Sequence, residues 1–235
     1  MRAHSVVGSA SPWHGEGQGF ESPWVHKRNM KNKVIIFDFD GVIVNSCQLS
    51  YEINREQYSN VTYSELQNWS EGNIYSKKLI DEMKDEDEIY FFEQYQRRIV
   101  ELIPVEGMEK VVKELNRQGY KLIIVSSADE DAIGNYLKTH NLDRYFVEIM
   151  ARKTHKSKVE KFKMVFKKYK IKANETLIIT DSVGDVKEAH EVKMKAIGVT
   201  WGIHEKERLE NNGVDFIAEK PSEILVGIEQ ILALK

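Results

Sequence analysis

The sequence predicts an α/β fold in which a doubly wound parallel sheet carries an inserted, all-helical cap. Two observations lead to this prediction. From Met30 onward, short apolar runs alternate with helical patterns, as they do in successive β-α-β units. Residues 47–103 interrupt this alternation, because they contain no convincing strand pattern. We therefore predict a core made of residues 30–46 and 104–235, with residues 47–103 as the cap.

The strand predictions rest on short, β-branched apolar runs of the kind that are buried on both faces of a sheet. Two further runs, at 145–150 and 215–218, are weaker candidates. The four clear runs are VIIFDF (34–39), KLIIVS (121–126), TLIIT (176–180) and AIGV (196–199).

Helical periodicity fills the intervals between these strands and most of the cap. Gly119 ends one core pattern, and Pro221 suits the first turn of another. The acidic run at 81–88 is interpreted as a solvated loop. The core patterns are 107–119, 158–169, 186–192 and 221–233, and the cap patterns are 48–59, 73–83 and 87–102. The aromatic residues interpreted as cap core are Tyr90, Phe91, Phe92 and Tyr95.

Composition narrows the class of protein. The 235 residues are 41% hydrophobic, which is enough for a folded core, and the formal charge of -3 argues against a dedicated nucleic-acid binder. No apolar run approaches the roughly 18 residues that a membrane-spanning helix needs. A single cysteine, Cys47, excludes an internal disulfide and favours the reducing cytoplasm. The first 29 residues lack periodicity and are interpreted as a disordered tail or a misassigned start.

Four aspartates follow two of the predicted strands. Asp38 and Asp40 end the first strand, while Asp181 and Asp185 follow the strand at 176–180. The carboxyl ends of parallel strands face a common crevice, so these side chains are expected to lie together. Carboxylate oxygens suit Mg²⁺, and a carboxylate can also attack phosphorus to form an aspartyl-phosphate. This pattern predicts phosphoryl-transfer chemistry.

Other residues near these aspartates suit the same chemistry. Asp40 lies two residues beyond Asp38 and can protonate a leaving oxygen, while Gly41 lets the backbone approach a phosphate closely. Ser126 and Ser127 end the second strand, where a hydroxyl and backbone N–H groups can hold phosphate oxygens. A lysine at the start of the helix after the third strand would balance the negative charge.

Four segments occur in order at the ends of successive strands: DFDGVIVNS (38–46), VSSA (125–128), SK (157–158) and TDSVGD (180–185). Together they resemble the haloacid dehalogenase-like hydrolase superfamily. The chain looks most like the phosphoglycolate-phosphatase and β-phosphoglucomutase type, which has a Rossmann-like core and a helical cap. The resemblance covers residues 33 to about 232. It implies a five-strand parallel sheet in which the first and fourth strands are neighbours.

The resemblance also implies a role for each aspartate. Asp38 would be the nucleophile and a metal ligand. Asp40 would be the acid/base, with its backbone carbonyl on Mg²⁺. Asp181 would bind the metal directly, and Asp185 would support the metal waters and the lysine.

The remaining implied roles concern phosphate, the lysine and the substrate. Ser126 would hold the phosphate with help from the Ser127 backbone. Lys158 is preferred as the motif lysine over Lys156, and the other basic residues of 152–172 are interpreted as a solvated helix face. A cap loop at 69–73 would reach into the cleft, although its pattern equally suits a plain glycine turn. Its candidate substrate contacts are Trp69, Ser70 and Asn73.

The leading hypothesis is a Mg²⁺-dependent phosphatase that acts on a small phosphorylated metabolite. A phosphomutase uses the same motifs and stays open as an alternative. A dehalogenase would leave Asp40 and Asp185 unexplained, and a non-catalytic binding module would leave the complete set of catalytic residue types unexplained. No nucleic-acid or membrane partner is expected. The sequence identifies neither the substrate nor the oligomeric state.

Overall fold

The computed structural model describes residues 33–76, 79 and 84–233. The amino-terminal segment 1–29 and Met30 lie outside these described residues, so the interpretation of that segment stays a prediction. The same holds for most of the helix predicted at 73–83, of which only 73–76 and 79 are described.

One parallel sheet of six strands forms the centre of the described chain, in the order β3-β2-β1-β4-β5-β6. The prediction of an α/β fold is confirmed, and β1 and β4 are neighbours as expected. The implied number of five strands is wrong, because the weak run near 215 adds a short sixth strand to the edge of β5. The strands are β1 (Val34–Phe37), β2 (Lys121–Val125), β3 (Phe146–Met150), β4 (Thr176–Thr180), β5 (Lys195–Val199) and β6 (Phe216–Ala218).

Nine helices accompany the sheet in the described residues. The patterns at 158–169 and 221–233 match two of them fully, whereas α2, α5 and α8 have no counterpart among the predictions. Short length explains the omission of α2 and α8, which have seven and six residues. The helices are α1 (Cys47–Gln57), α2 (Tyr63–Trp69), α3 (Asp85–Arg98), α4 (Met108–Arg117), α5 (Glu130–Thr139), α6 (Lys158–Tyr169), α7 (Val183–Glu191), α8 (Lys206–Asn211) and α9 (Pro221–Ala233).

Alternate residues of β1 enter two different cores, which is the signature of a doubly wound sheet. Ile35 and Phe37 pack with residues of α4, α5 and α9 on one face. Val34 and Ile36 pack with residues of α6 and α7 on the other face. All four side chains are fully buried, so β1 forms the centre of the sheet.

The register of the sheet gathers three chain segments at one edge. Phe37, the last residue of β1, pairs with Ile124 of β2 and Ile179 of β4. The residues that follow these strands therefore emerge side by side at the carboxyl edge. This arrangement positions the candidate site.

Helices α1 to α3 belong to one stretch, residues 47–103, which we call the α1–α3 segment. The interpretation of 81–88 as a loop is wrong for its second half, because α3 begins at Asp85. The carboxylate of Asp87 accepts a hydrogen bond of 2.6 Å from the Lys84 backbone N–H, so the acidic residues cap a helix start. That this segment forms a separate cap stays a prediction. Within the described residues, no helix has both the length and the apolar character needed to cross a membrane.

Candidate active site

Asp38 occupies the first position after β1 and is held there by backbone hydrogen bonds. Its N–H donates to the carbonyl of Ile179 over 2.9 Å, which continues the pairing with β4. Its carboxylate accepts from the Phe39 N–H over 2.7 Å. The turn then closes at Gly41, whose φ of +67° favours glycine. The nucleophile candidate is thus buried at the edge of the sheet.

Lys158 joins two aspartates that are distant in sequence. Its ammonium donates to Asp38 Oδ2 over 2.8 Å and to Asp185 Oδ2 over 2.6 Å. Asp185 also accepts from the Thr180 hydroxyl over 2.8 Å. Lys156, the alternative lysine, instead lies over the Tyr75 ring at 5.0 Å. The structure therefore places Lys158, and not Lys156, beside the nucleophile candidate.

The buried carboxyl groups respond differently to this one cation. Burial raises the pKa of Asp38 well above its ordinary value, and the nearby Asp185 and Asp181 raise it further against the effect of Lys158. Burial also opposes ionisation of Asp185, but the Lys158 ammonium and the surrounding hydrogen bonds hold the pKa of that carboxyl below its usual range. Asp185 and Asp38 therefore compete for the Lys158 ammonium, and the directions of their pKa shifts favour ionisation of Asp185.

Asp40 is held by two hydroxyl groups. Ser46, which precedes α1, and Tyr95 of α3 both donate to Asp40 Oδ1. Burial raises the pKa of Asp40, while these two hydrogen bonds act in the opposite direction. Tyr95 is buried in the main hydrophobic cluster, as predicted, and its hydroxyl also contacts the acid/base candidate from the α1–α3 segment.

Asp181 lies between two glycines. A Cβ on Gly41 would come within 1.7 Å of the Asp181 carboxylate, and one on Gly202 would come within 2.2 Å. The carboxylate accepts from the Ile203 N–H over 2.7 Å and from the Cys47 thiol over 3.8 Å. Burial raises the pKa of Asp181 to about 7, with a further contribution from Asp185. The side chain therefore packs directly against the turn that follows β1.

The donor set suits a hard divalent cation. Three buried carboxyl groups and the half-buried Asp40 lie near the ammonium of Lys158, so a full set of ionised carboxylates would carry excess negative charge. Mg²⁺ prefers such oxygen ligands. Within the residues described, no three His, Cys, Asp or Glu side chains converge as a ready-made metal site. The chemistry of the donors fits Mg²⁺, and its coordination stays a prediction.

Ser126 and Ser127 form a loop that is fixed from two sides. The Ser126 N–H donates to Met150 O over 3.1 Å, and its hydroxyl accepts from Ala128 N–H over 3.0 Å. The carbonyl of Ser127 accepts from the Tyr75 hydroxyl over 2.5 Å. This loop therefore connects the end of β2 to the α1–α3 segment.

Lys161 lies behind the same loop and is fully buried. Its ammonium donates to Ser126 O over 2.5 Å and to Ala151 O over 3.5 Å. Burial lowers the pKa of Lys161 to about 8, and repulsion from Lys158 contributes. The interpretation of the basic stretch as a solvated face is thus wrong for Lys161, whose charge is used to join the ends of β2 and β3.

The three candidate substrate contacts on the α1–α3 segment all line the central cavity. Ser70 O accepts from Gly184 N–H over 3.1 Å, an approach that a Cβ on Gly184 would obstruct. Asn73 Nδ2 donates to Lys156 O over 3.5 Å. Ser70 and Asn73 therefore contact the core directly, while Trp69 adds an aromatic surface to the cavity.

The cavity itself measures about 450 Å³ and is lined by most of the predicted phosphoryl-transfer residues, namely Asp38, Asp40, Ser126, Ser127, Lys158, Asp181 and Asp185. Tyr75 and Tyr95 also line it, although the sequence interpretation gave neither a site role. The sequence does contain a pattern that could have indicated Tyr95, because Tyr95 follows Phe91 and Phe92 at helical spacing on one face of α3. For Lys161 no such signal exists, since its carbonyl partners come from remote strands.

The chain is similar in sequence to known proteins over most of its length. The family model described as haloacid dehalogenase-like hydrolase matches residues 35–199. A phosphoglycolate phosphatase from Vibrio parahaemolyticus is 24% identical over 138 residues, which cover 57% of this chain and 60% of that protein. The pyrophosphatase PpaX of Bacillus mycoides is 26% identical over 217 residues, covering 86% of this chain and 99% of the relative.

The fold is also found in solved structures. A putative β-phosphoglucomutase from Thermotoga maritima superposes with a TM-score of 0.62 at 20% identity. The match covers 85% of this chain and 100% of that one. At this level of identity the likeness concerns the fold alone.

Proposed function

The chain belongs to the haloacid dehalogenase-like hydrolase family, and we propose that it is a phosphatase that hydrolyses a small phosphate monoester through an aspartyl-phosphate. The observation that carries this proposal is the placement of Asp38, buried beside Lys158, with Asp40 held two residues away. The relatives named phosphoglycolate phosphatase and pyrophosphatase support phosphatase chemistry.

Each residue has a definite part in the proposed reaction. The Asp38 carboxylate attacks phosphorus, and the bond between phosphorus and the ester oxygen breaks. Asp40 gives its proton to that oxygen, so an alcohol leaves. Asp40 then takes a proton from water, which attacks the aspartyl-phosphate and releases phosphate while Asp38 is restored. Lys158 balances charge on Asp38 and the transferring group, and the Ser126–Ser127 loop holds phosphate oxygens.

Mg²⁺ would be held by the carboxylates of Asp38 and Asp181 and the Asp40 carbonyl, with Asp185 in support. When bound, it would neutralise the negative charge that gathers on the phosphoryl oxygens. Calorimetry tests this assignment. Asp181→Asn keeps the shape of the side chain but removes its charge. We expect at least a tenfold loss of Mg²⁺ affinity, because mutations of residues that only hydrogen-bond to a metal ligand already cost about tenfold. Unchanged affinity would remove Asp181 from the ligands.

The covalent step is tested by rapid quench with an aryl and an alkyl phosphate. Asp38→Asn should abolish turnover and the hydroxylamine-sensitive phosphoenzyme. Asp40→Asn should lose less activity on the aryl ester, whose leaving oxygen needs a proton less, and should accumulate the phosphoenzyme. Full activity of Asp38→Asn would refute the mechanism.

A phosphomutase is the remaining alternative, and product analysis separates it. A phosphatase releases inorganic phosphate from a sugar monophosphate, whereas a mutase returns the phosphoryl group to another hydroxyl of the sugar. We expect free phosphate.

A further inference from the structure

One face of α3 forms a continuous wall of the cavity. Glu88, Phe91, Phe92 and Tyr95 follow one another at helical spacing, and all four line the cavity. Tyr95 is fixed at one end by its hydrogen bond to Asp40. Seven residues at about 1.5 Å per residue place Glu88 about 10 Å from it along the helix. The wall therefore extends away from the point where the leaving oxygen would be protonated.

The rings of this wall are already arranged for stacking. The Phe91 ring stacks on Tyr95 with centroids 5.9 Å apart and an interplanar angle of 20°. Phe92 meets Phe91 edge to face at 5.4 Å. The Arg152 guanidinium lies over the Phe92 ring at 4.1 Å and also pairs with Glu88 at 3.0 Å. These contacts hold the rings in place before any ligand binds.

The rest of the cavity supports an apolar ligand beyond the phosphate. Trp69 lines it from the end of α2, and Ile74, Tyr75 and Leu79 line it from the connection between α2 and α3. The volume of about 450 Å³ lies within the range of roughly 300–1,000 Å³ that is usual for pockets of larger organic ligands. The cavity thus has both the surface and the space for an aromatic ring.

The charges in the cavity disfavour an anionic leaving group. A carboxylate two bonds from the ester oxygen would lie near Asp40, whose direct side-chain partners, within the part of the chain that the structure describes, are the hydroxyls of Ser46 and Tyr95 and not a cation. Among the described residues that line the cavity, the lysines are Lys84, Lys156 and Lys158. Lys158 is paired with two aspartates, Lys156 lies over the Tyr75 ring, and Lys84 lies beyond Glu88 before the start of α3. The Arg152 guanidinium does contact the wall, over Phe92, but it is paired with Glu88.

We infer that the alcohol released from the substrate carries an aromatic ring against Phe91 and Phe92 and has no anionic group near its ester oxygen. This inference rests on the proposed phosphatase function and names its substrate class. It would separate this chain from the relatives that are named phosphoglycolate phosphatase and pyrophosphatase.

The test compares kcat/KM for three primary alkyl phosphates, 2-phenylethyl phosphate, n-butyl phosphate and phosphoglycolate, with inorganic diphosphate and acetyl phosphate alongside. We expect 2-phenylethyl phosphate to exceed both other monoesters, and diphosphate, by at least tenfold. Acetyl phosphate has no ring and reports the phosphoryl chemistry alone. If it is hydrolysed while phosphoglycolate, diphosphate or butyl phosphate equals the ring substrate, this inference fails and the phosphatase function stands. If nothing is hydrolysed, the phosphatase function itself fails.

A variant pair locates the ring. Phe91→Leu keeps an apolar side chain, so it should fold, and it should lower the preference for 2-phenylethyl over butyl phosphate by about tenfold. Tyr90→Leu is the control, because Tyr90 is the neighbouring aromatic residue on α3 and is partly exposed. It should leave the preference unchanged. An unchanged preference in Phe91→Leu, with circular dichroism showing a folded protein, would overturn the placement of the ring.

Discussion

The two sides of the cavity are built differently. At the sheet edge, Asp38, Ser126 and Asp181 follow neighbouring strands, and each is fixed by hydrogen bonds from backbone groups. On the described part of the α1–α3 segment, the cavity is lined by five aromatic side chains among aliphatic and polar ones, and the hydroxyl of Tyr95 and the thiol of Cys47 donate to aspartates of the site. The backbone of the sheet therefore sets the position of the reacting groups. Side-chain packing on the helices determines which part of the substrate beyond the phosphate the cavity can hold.

The largest loss of activity is expected from a substitution that adds a Cβ atom at the sheet edge. Gly41→Ala would place a Cβ 1.7 Å from the Asp181 carboxylate. Either Asp181 or the turn after β1 must move, and a displacement near 1 Å at a reacting centre costs about 10²-fold in rate. We expect kcat/KM to fall by at least that factor.

Gly119→Ala is the matched control for Gly41→Ala. Both glycines have positive φ, +86° at Gly119 and +67° at Gly41, so both alanines strain the backbone. At Gly119, however, the added Cβ would meet no described atom within 4 Å. Its variant should lose stability of about 1 kcal/mol and keep its activity. Equal activity losses in the two variants would show that backbone strain, and not contact with Asp181, is responsible.

The second prediction concerns the buried lysine behind the sheet edge. The pKa of Lys161 is about 8 in the folded protein, below its ordinary value of 10.5. Between these values the unfolded chain binds more protons, so the stability contributed by this group rises with pH. The difference corresponds to about 3 kcal/mol at most. We expect the free energy of unfolding of the wild type to gain this amount relative to Lys161→Met between pH 8 and 10.5.

Urea titrations at several pH values measure this difference. The comparison with Lys161→Met cancels the other groups that titrate in the same range. Parallel pH profiles for the two proteins would show that Lys161 keeps its ordinary pKa.

The sequence predicted the sheet edge of the cavity better than its helical side. The alternation of apolar runs predicted the sheet, and the position of aspartates after strands brought Asp38 and Asp181 to one edge, because parallel strands end together. Helix α5 was missed, although Asp129 caps its first turn. The roles of the site residues and the division into core and cap stay predictions.

The parts that were missed depend on long-range partners. Lys161 is buried because carbonyls 35 and 10 residues away accept its hydrogen bonds. Tyr95 reaches Asp40 across 55 residues of sequence. Local periodicity places an aromatic residue on the inner face of a helix, but it does not reveal which buried polar group its hydroxyl meets.

The third prediction tests that hydroxyl, which connects the two sides of the cavity. Tyr95→Phe removes one of the two donors that orient Asp40 and keeps the ring. A hydrogen bond to a charged group contributes about 1.5–3 kcal/mol, so we expect kcat on alkyl phosphates to fall about tenfold or more. Aryl phosphates should lose less, because their leaving oxygen depends less on the proton from Asp40.

Tyr136→Phe controls for the loss of a buried hydroxyl. The Tyr136 hydroxyl is also buried, and it has no hydrogen-bond partner within the described part of the chain. Its removal should leave kcat unchanged and raise the free energy of unfolding slightly, since an unpaired buried polar group is costly. If both variants lose activity equally, the Tyr95 hydrogen bond has no special part in holding Asp40.

The smallest effect is expected at the rim, where the α1–α3 segment meets α8. Arg208 donates to Glu71 over 2.7 Å and also to the Asn68 side chain. These groups are partly exposed, and such ion pairs contribute at most about 1 kcal/mol. The Gly184–Ser70 hydrogen bond and the Lys187 contact with Glu71 O remain when Arg208 is removed. We therefore expect Arg208→Ala to raise KM by no more than about fivefold and to leave kcat unchanged.

Steady-state kinetics of Arg208→Ala and Arg117→Ala decide whether this contact acts on the site. Arg117 pairs with Glu114 on the same helix, α4, so its loss removes a surface ion pair that does not join the α1–α3 segment to the core. KM should stay at the wild-type value in Arg117→Ala. A loss of kcat in Arg208→Ala that approaches the Tyr95→Phe value would mean that the rim, and not only Tyr95, positions the helices over Asp40. That result would contradict the contrast between the two sides of the cavity, in which backbone hydrogen bonds fix the sheet edge and the helices act on the reaction through Tyr95.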